Sequence, residues 1–337
     1  MLRALTGEPL PSAGFSNASI ARVTLGEQRF VLKRTTPARD WTACRSGDAR
    51  GREALLLADG DCAGVWDVFD CPYVAYEIGE GEIALMMRDL TAHLLPDTRT
   101  PLRDEQQTAI LGAIARLHAR FWDWRAPAGP WLARVENYCD LLPPSYDCAL
   151  LPSPLREHVR GGWAAAMARV PGEVAEKLTR PGCEWARQWD DLPKTLLHGD
   201  VKVANFAIVG DDRVAAFDWA MCGVGPCSVD LGWYLAVNAS RLAGTKEDVI
   251  KRYRALLTGA PASSPAGAAA SRRRDGGGPA GETPAFPVIN AVTWRRLEDA
   301  AIVLGARMLL WSKAAALEAG RAGAQEEWNW WMERLRG

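Results

Sequence analysis

The first ninety residues alternate short apolar runs with turn signals. Ala18 to Leu25 and Arg29 to Lys33 are β-prone and meet at Gly26-Glu27, which predicts a hairpin. Tyr73 to Ile78 and Ile83 to Met87 predict a second strand pair around Gly79-Glu80-Gly81. Between the pairs, Gly47 to Asp59 carries the run Ala54-Leu55-Leu56-Leu57-Ala58 and reads as one helix. Beyond residue 90 the period lengthens. In Gln106 to Trp122, Ile110, Ile114, Leu117 and Phe121 fall on one face of a helix. Residues 126–155 are broken by prolines. Residues 156–190 read as helix with interruptions near Pro171-Gly172 and Pro181-Gly182.

Residues 196–218 return to strand, loop, strand and turn, and residues 228–257 are helical again. A last amphipathic region spans about 291–335 and holds Trp294, Trp311, Trp328, Trp330 and Trp331. Residues 259–287 are rich in Ala, Gly, Pro and Ser around Arg272-Arg273-Arg274. Such a composition buries too little apolar surface to order itself, so a flexible insertion, lid or passenger loop, is expected there.

Composition narrows the field. A chain of 337 residues, 48% hydrophobic and 24% charged, is globular and can bury a large core. Its net charge of −1 gives no field that would recruit nucleic acid or an acidic membrane. None of the eight cysteines forms a C-x-x-C pair or stands at zinc-ligand spacing from a histidine, so scattered reduced thiols are expected. The amino terminus lacks the apolar run of a signal peptide, and no run of about 18 apolar residues suggests a membrane span. These features together predict a cytoplasmic protein, with monomer and homodimer both left open.

Chemistry concentrates in His198-Gly199-Asp200-Val201-Lys202-Val203-Ala204-Asn205, followed by the apolar run Val214 to Phe217 and Asp218. Phosphoryl transfer needs one carboxylate to orient the attacking hydroxyl. It also needs an amide oxygen and a second carboxylate to hold Mg²⁺ on the triphosphate. A loop carrying Asp200 and Asn205, with Asp218 delivered by a hairpin, can aim all three into one cleft. An Asx-rich turn between buried strands is the alternative reading of the same residues. Lys33 closes the apolar strand Phe30-Val31-Leu32 and can reach phosphates, as a lysine ending such a strand does in V-A-I-K sequences. Glu53 is its expected ion-pair partner, with Asp48 and Arg52 close by in sequence.

These motifs resemble the aminoglycoside phosphotransferase and choline kinase family, over nearly the whole chain and most clearly at 12–33 and 196–235. The resemblance implies a bilobed, protein-kinase-like α+β fold. Residues 1–90 would form a small antiparallel β N-lobe with one helix that clamps the nucleotide. Residues 91–337 would form a larger, mainly helical C-lobe with the catalytic loops and the acceptor site. It implies Asp200 as catalytic base and Asn205 and Asp218 as Mg²⁺ ligands. His198 and Asp230 would brace the loop. Ser12 to Asn17 would be a short phosphate-covering loop in which Ser16 and Asn17 reach the phosphates. Met87, near the hinge Met86 to Leu90, would pack on the base of ATP or GTP. Asp218-Trp219-Ala220 departs from D-F-G, as this family does.

The acceptor is open: an aminoglycoside, an amino alcohol, a sugar or another small hydroxylated metabolite. Fifteen tryptophans allow an aromatic cage for a quaternary ammonium, although helical spacing assigns most of them to the core. Glu326, Glu327 and Glu333 could face a polycation. A nucleotide-binding scaffold without activity and a kinase acting on protein are the competing functions. No A-P-E segment follows Asp218 to favour the latter.

Overall fold

The computed structural model describes residues 2–11, 17–96, 100–124, 131–145, 151–210, 213–259 and 286–337. Five antiparallel strands build the amino-terminal sheet: β1 (Glu8–Pro9), β2 (Ser19–Leu25), β3 (Gln28–Thr35), β4 (Tyr73–Ile78) and β5 (Ile83–Arg88), in the order β1-β2-β3-β5-β4. Leu25 lies opposite Gln28, so Gly26-Glu27 is the whole hairpin loop. Lys33 faces Leu85 across the sheet, which fixes which side of β3 the lysine leaves from. The β4–β5 pair closes at Ile78 and Ile83 as expected.

The helix expected over 47–59 is present but starts only at Arg52, and a second, unexpected helix precedes it. α1 (Trp41–Ser46) is capped by Asp40, whose side chain accepts from the Ala43 amide at 2.9 Å, and it ends at Gly47 in the left-handed conformation. α2 (Arg52–Ala58) starts later, because the Asp48 carboxylate takes the amides of Gly51 (2.7 Å) and Arg52 (2.8 Å). The capping aspartates, rather than the apolar run, set where each helix begins.

Helices dominate the rest. α3 (Asp104–Arg120) buries Ile110, Ile114 and Leu117 as its spacing requires. α4 (Val135–Cys139) and α5 (Ser153–Met167) follow, and α6 (Gly172–Thr179) and α7 (Gly182–Gln188) each begin just after Pro171 and Pro181. Two small ladders interrupt them: β6 (Thr195–Leu197) pairs with β9 (Gly223–Gly225), and β7 (Phe206–Val209) with β8 (Arg213–Ala216). α8 (Ser228–Val237), α9 (Lys246–Thr258), α10 (Ala291–Glu318) and α11 (Ala324–Arg336) complete the chain. Together they form the kinase-like α+β architecture, with sheet first and helices after. The expected insertion at 259–287 lies outside the described residues except at its edges.

α10 is the central strut. It packs on α8 and α5 at very short range. A side chain at Gly232 would lie 2.2 Å from the Ala301 carbonyl oxygen, and one at Gly305 would lie 2.5 Å from that of Gly232. Only glycine at both positions permits that approach. Among the described helices α10 alone is long and apolar enough to cross a membrane, yet 67% of its apolar window is buried inside the protein. Burial among its own neighbours accounts for that composition. Trp294, Trp311, Trp328 and Trp331 are likewise buried on helical faces.

Candidate active site

The loop after β6 is held from below. Asp230, in the first turn of α8, is fully buried. It accepts the amides of His198 at 2.9 Å and Gly199 at 2.8 Å, and lies 3.1 Å from His118 Nε2. A buried carboxylate needs such partners to offset lost hydration. Gly199 has φ +81°, and a Cβ there would meet the Met221 carbonyl oxygen at 2.0 Å, so the tight passage requires glycine. Asn238, at the end of α8, clamps the next stretch: it accepts from the Val203 amide at 2.9 Å and donates to the Val201 carbonyl at 3.0 Å. His198 is fully buried, its ring 4.3 Å from that of Trp219 and 5.4 Å from Phe206. Its Nδ1 lies 3.2 Å from the Asp200 amide, and burial lowers the imidazole pKa. A neutral ring accepting that amide satisfies both facts.

On this base stand the polar groups that face the cleft. Asp200 receives the Trp233 indole N–H at 2.6 Å on one carboxylate oxygen and the Asn205 amide at 2.9 Å on the other. The Asn205 nitrogen also donates to the Asp200 carbonyl at 2.8 Å. Two acceptors thus fix the amide's orientation and turn its oxygen away from Asp200. Across the cleft, Lys33 Nζ is 2.6 Å from both Glu53 and Asp218. Glu53, rather than Asp48 or Arg52, is therefore the ion-pair partner in α2. Asp48 is committed to helix capping. Arg52 is buried and donates to Ser46 Oγ at 2.8 Å and to the Trp131 carbonyl at 2.7 Å.

Glu53 also accepts from the Tyr73 hydroxyl at 2.6 Å and the Asp218 amide at 3.1 Å. Asp218 sits in the left-handed region at φ 64°, a strained place for a non-glycine residue. Burial by itself would raise the Asp218 carboxyl pKa; the nearby Lys33 ammonium outweighs this and lowers it. Burial likewise acts against the Lys33 charge, but Asp218 and Glu53 raise its pKa overall.

Two cavities meet here. The larger, about 730 Å³, is walled by the sheet through Ile20, Val31 and Met87 and by Asn205, Phe217 and Asn238 from the helical side. Met87 lines this cavity. Asn17 does not: its side-chain amide donates to the Arg39 carbonyl. Ser16 lies outside the described residues. The smaller cavity, about 410 Å³, is bounded by Asp200, Trp233, Met221 and side chains of α1, α5 and α10. Lys33, Glu53, Lys202 and Asp218 line both. Glu326, Glu327 and Glu333 line neither; Glu327 pairs with Lys246 and Lys313 instead.

Sequence reasoning missed Trp233, Asn238, Tyr73 and Lys202. Of these only Lys202 carried a local signal, standing two residues after Asp200 inside the motif itself.

The architecture and motif spacing describe a phosphotransferase of the kinase-like type. The model of the phosphotransferase enzyme family matches residues 8–264, and the chain belongs to that family. Its solved structural neighbours include a choline kinase, LicA, from Streptococcus pneumoniae (12% identity, 98% of this chain and 94% of that one, TM-score 0.47). A thermostable mutant of aminoglycoside phosphotransferase APH(4)-Ia, in complex with ADP and hygromycin B, is similar over 97% of this chain and 91% of its own (14% identity, TM-score 0.45). A choline/ethanolamine kinase family protein from Mesorhizobium loti is similar over 99% and 91% (14% identity, TM-score 0.43). No curated protein matches the sequence.

Proposed function

We propose that this protein is an ATP- and Mg²⁺-dependent kinase that moves the γ-phosphoryl group onto a hydroxyl of a small molecule in the cytoplasm. One observation carries the reading. Asn205 lines the larger cavity, Asp200 lines the smaller, and a 2.9 Å hydrogen bond joins their side chains. A nucleotide in the first and an alcohol in the second would meet at that bond.

The roles follow from position. Residues 1–90 clamp the nucleotide, with Met87 against the base and Lys33, steadied by Glu53, on the phosphates; a GTP donor would use the same groups. Asp218 and the Asn205 oxygen, both hard donors, are the groups that would hold Mg²⁺. Mg²⁺ takes one or two protein ligands and completes its sphere with phosphate and water, which fits a site without a cage of three or more His, Cys, Asp or Glu among the described residues. When bound, the ion neutralises triphosphate charge. Asp200 orients the hydroxyl and takes its proton. Lys202, lining both cavities, is placed to offset charge on the group in flight. His198, Asp230 and Asn238 keep the loop in register.

Asp200→Asn tests this. The variant should retain thermal stabilisation by Mg-ATP and lose about 10²–10⁴-fold in turnover, the usual worth of a general base. Undiminished turnover would overturn the assignment.

A further inference from the structure

We infer that His118 and Tyr253 are positioning residues for the transfer: they hold Asp230 in the orientation by which it fixes the loop carrying Asp200. This rests on the phosphotransferase reading above. Neither residue lines either cavity, so both act through others. His118 stands in the last turn of α3 and Tyr253 in α9, and both are completely buried. The Tyr253 hydroxyl lies 2.6 Å from His118 Nδ1, and His118 Nε2 lies 3.1 Å from Asp230 Oδ2. That same oxygen accepts the His198 amide, and Oδ1 accepts the Gly199 amide. The contacts therefore run in series from α9 through α3 and α8 into the loop.

The direction of donation follows from what each atom has left. Both Asp230 oxygens already take backbone amides, so the imidazole has to approach with Nε2–H. Which ring nitrogen carries the proton is set by what the other one meets. Nδ1 meets the Tyr253 hydroxyl, and burial pushes the pKa of that phenol well above its ordinary value, so it keeps the proton it donates. Without the hydroxyl the proton can move to Nδ1. A bare Nε2 lone pair would then face the carboxylate and push Asp230 off the two amides.

Two further contacts hold the series in place. Cys227, just before α8, hydrogen-bonds the Tyr253 hydroxyl, and burial raises its thiol to about 12, so it stays protonated. Thr195 Oγ1 donates to the His118 carbonyl at 3.0 Å, which ties α3 to β6, the strand that leads into the loop. The series ends on the amides of residues 198 and 199, at the glycine whose φ of +81° sets the course of the chain into Asp200. In a dry interior each such link weighs more than it would in water.

The test uses the full chain with His118→Gln, His118→Leu and Tyr253→Phe. Glutamine can place an N–H donor near the position of Nε2, and leucine cannot. Hydrogen exchange is followed by mass spectrometry, and ADP release from Mg-ATP is followed with water as the acceptor. In His118→Leu, exchange over 196–206 should quicken about tenfold, the order of one hydrogen bond to a charged group. The kcat for ADP release should fall by a similar factor with the KM for ATP unmoved. His118→Gln should recover most of both. Tyr253→Phe keeps the ring and should move both readouts the same way by about threefold, the order of one neutral hydrogen bond. Nitrogen-15 spectra of the histidine-labelled wild type should show His118 protonated at Nε2 and bare at Nδ1. Exchange rising evenly over the whole chain, glutamine no better than leucine, or wild-type behaviour in Tyr253→Phe would overturn the inference. Should the leucine variant not fold, Tyr253→Phe and the nitrogen-15 spectrum decide it. A wild type that neither gains stability from Mg-ATP nor releases ADP would instead bring down the kinase reading, while hydrogen exchange would still decide whether His118 and Tyr253 hold the loop.

Discussion

The two cavities share Lys33, Glu53, Lys202 and Asp218 yet are built on opposite terms. Where they meet, charged groups are fixed in place by one another: Lys33 between two carboxylates, Glu53 among three donors, Asn205 against Asp200. Away from that junction the smaller cavity is walled by Leu141, Leu142, Leu155, Met308, Leu309 and Trp311, with Asp40 and Asp48 also in its lining. Donor chemistry is demanding and constant, since triphosphate and metal impose their own geometry. Acceptor recognition only needs a fitting wall, so residues there can differ without disturbing the transfer.

Each expectation probes one side of that contrast. The largest effect should follow Lys33→Met. It removes the proposed phosphate contact and leaves Glu53 and Asp218 as unneutralised neighbours, so turnover should fall about 10²–10³-fold. Stability should drop by about 3 kcal/mol, near the low end for breaking a buried pair because Asp218 keeps some solvent contact. The pH dependence should also change sign. In the wild type the Asp218 carboxyl pKa lies below its ordinary 3.8. Its contribution is present above that value and is lost as pH falls through the lowered one. In Lys33→Met the Asp218 carboxyl loses its cation and is left to burial, so it binds a proton more readily folded than unfolded and stability should rise as pH falls from neutrality toward 4. Urea titrations across pH decide it, and a wild-type slope in the variant would contradict the coupling.

Trp233→Phe should act less strongly. It deletes the indole donor to Asp200 while keeping most of the ring, so kcat should fall about tenfold, the worth of one hydrogen bond to a charged group. The thermal midpoint and the KM for ATP should stay near wild type. An unchanged kcat would show that Asp200 needs no such positioning. Smallest should be Leu309→Ala on the acceptor wall. Partial loss of a half-buried leucine should raise the acceptor KM by about fivefold with the KM for ATP unmoved. A shift in the ATP value instead would break the separation of the two walls.

The same contrast explains what could be read from sequence. That Asp200, Asn205 and Asp218 come together was legible from their short spacing, and Lys33 beside them from the apolar strand that ends on it. The β2–β3 and β4–β5 hairpins were legible from their turns. Helix α1 and the start of α2 were not: they depend on Asp40 and Asp48 accepting backbone amides, which an apolar run does not reveal. Trp233 and Asn238 act on Asp200 and Val203 from more than thirty positions away, and only folding brings them there. The acceptor wall was least legible, since Leu142, Leu155 and Trp311 look like any core residues until α5 and α10 are packed together.

The most direct measurement follows a heavy-oxygen label from the γ-phosphoryl group of ATP into an alcohol by mass spectrometry, with the wild type and Asp200→Asn side by side. The wild type should yield a phosphate monoester carrying all three labelled non-bridging oxygens, and the variant almost none. Equal label transfer by both proteins, or label found only in inorganic phosphate, would contradict a transfer organised by Asp200 where the two cavities meet.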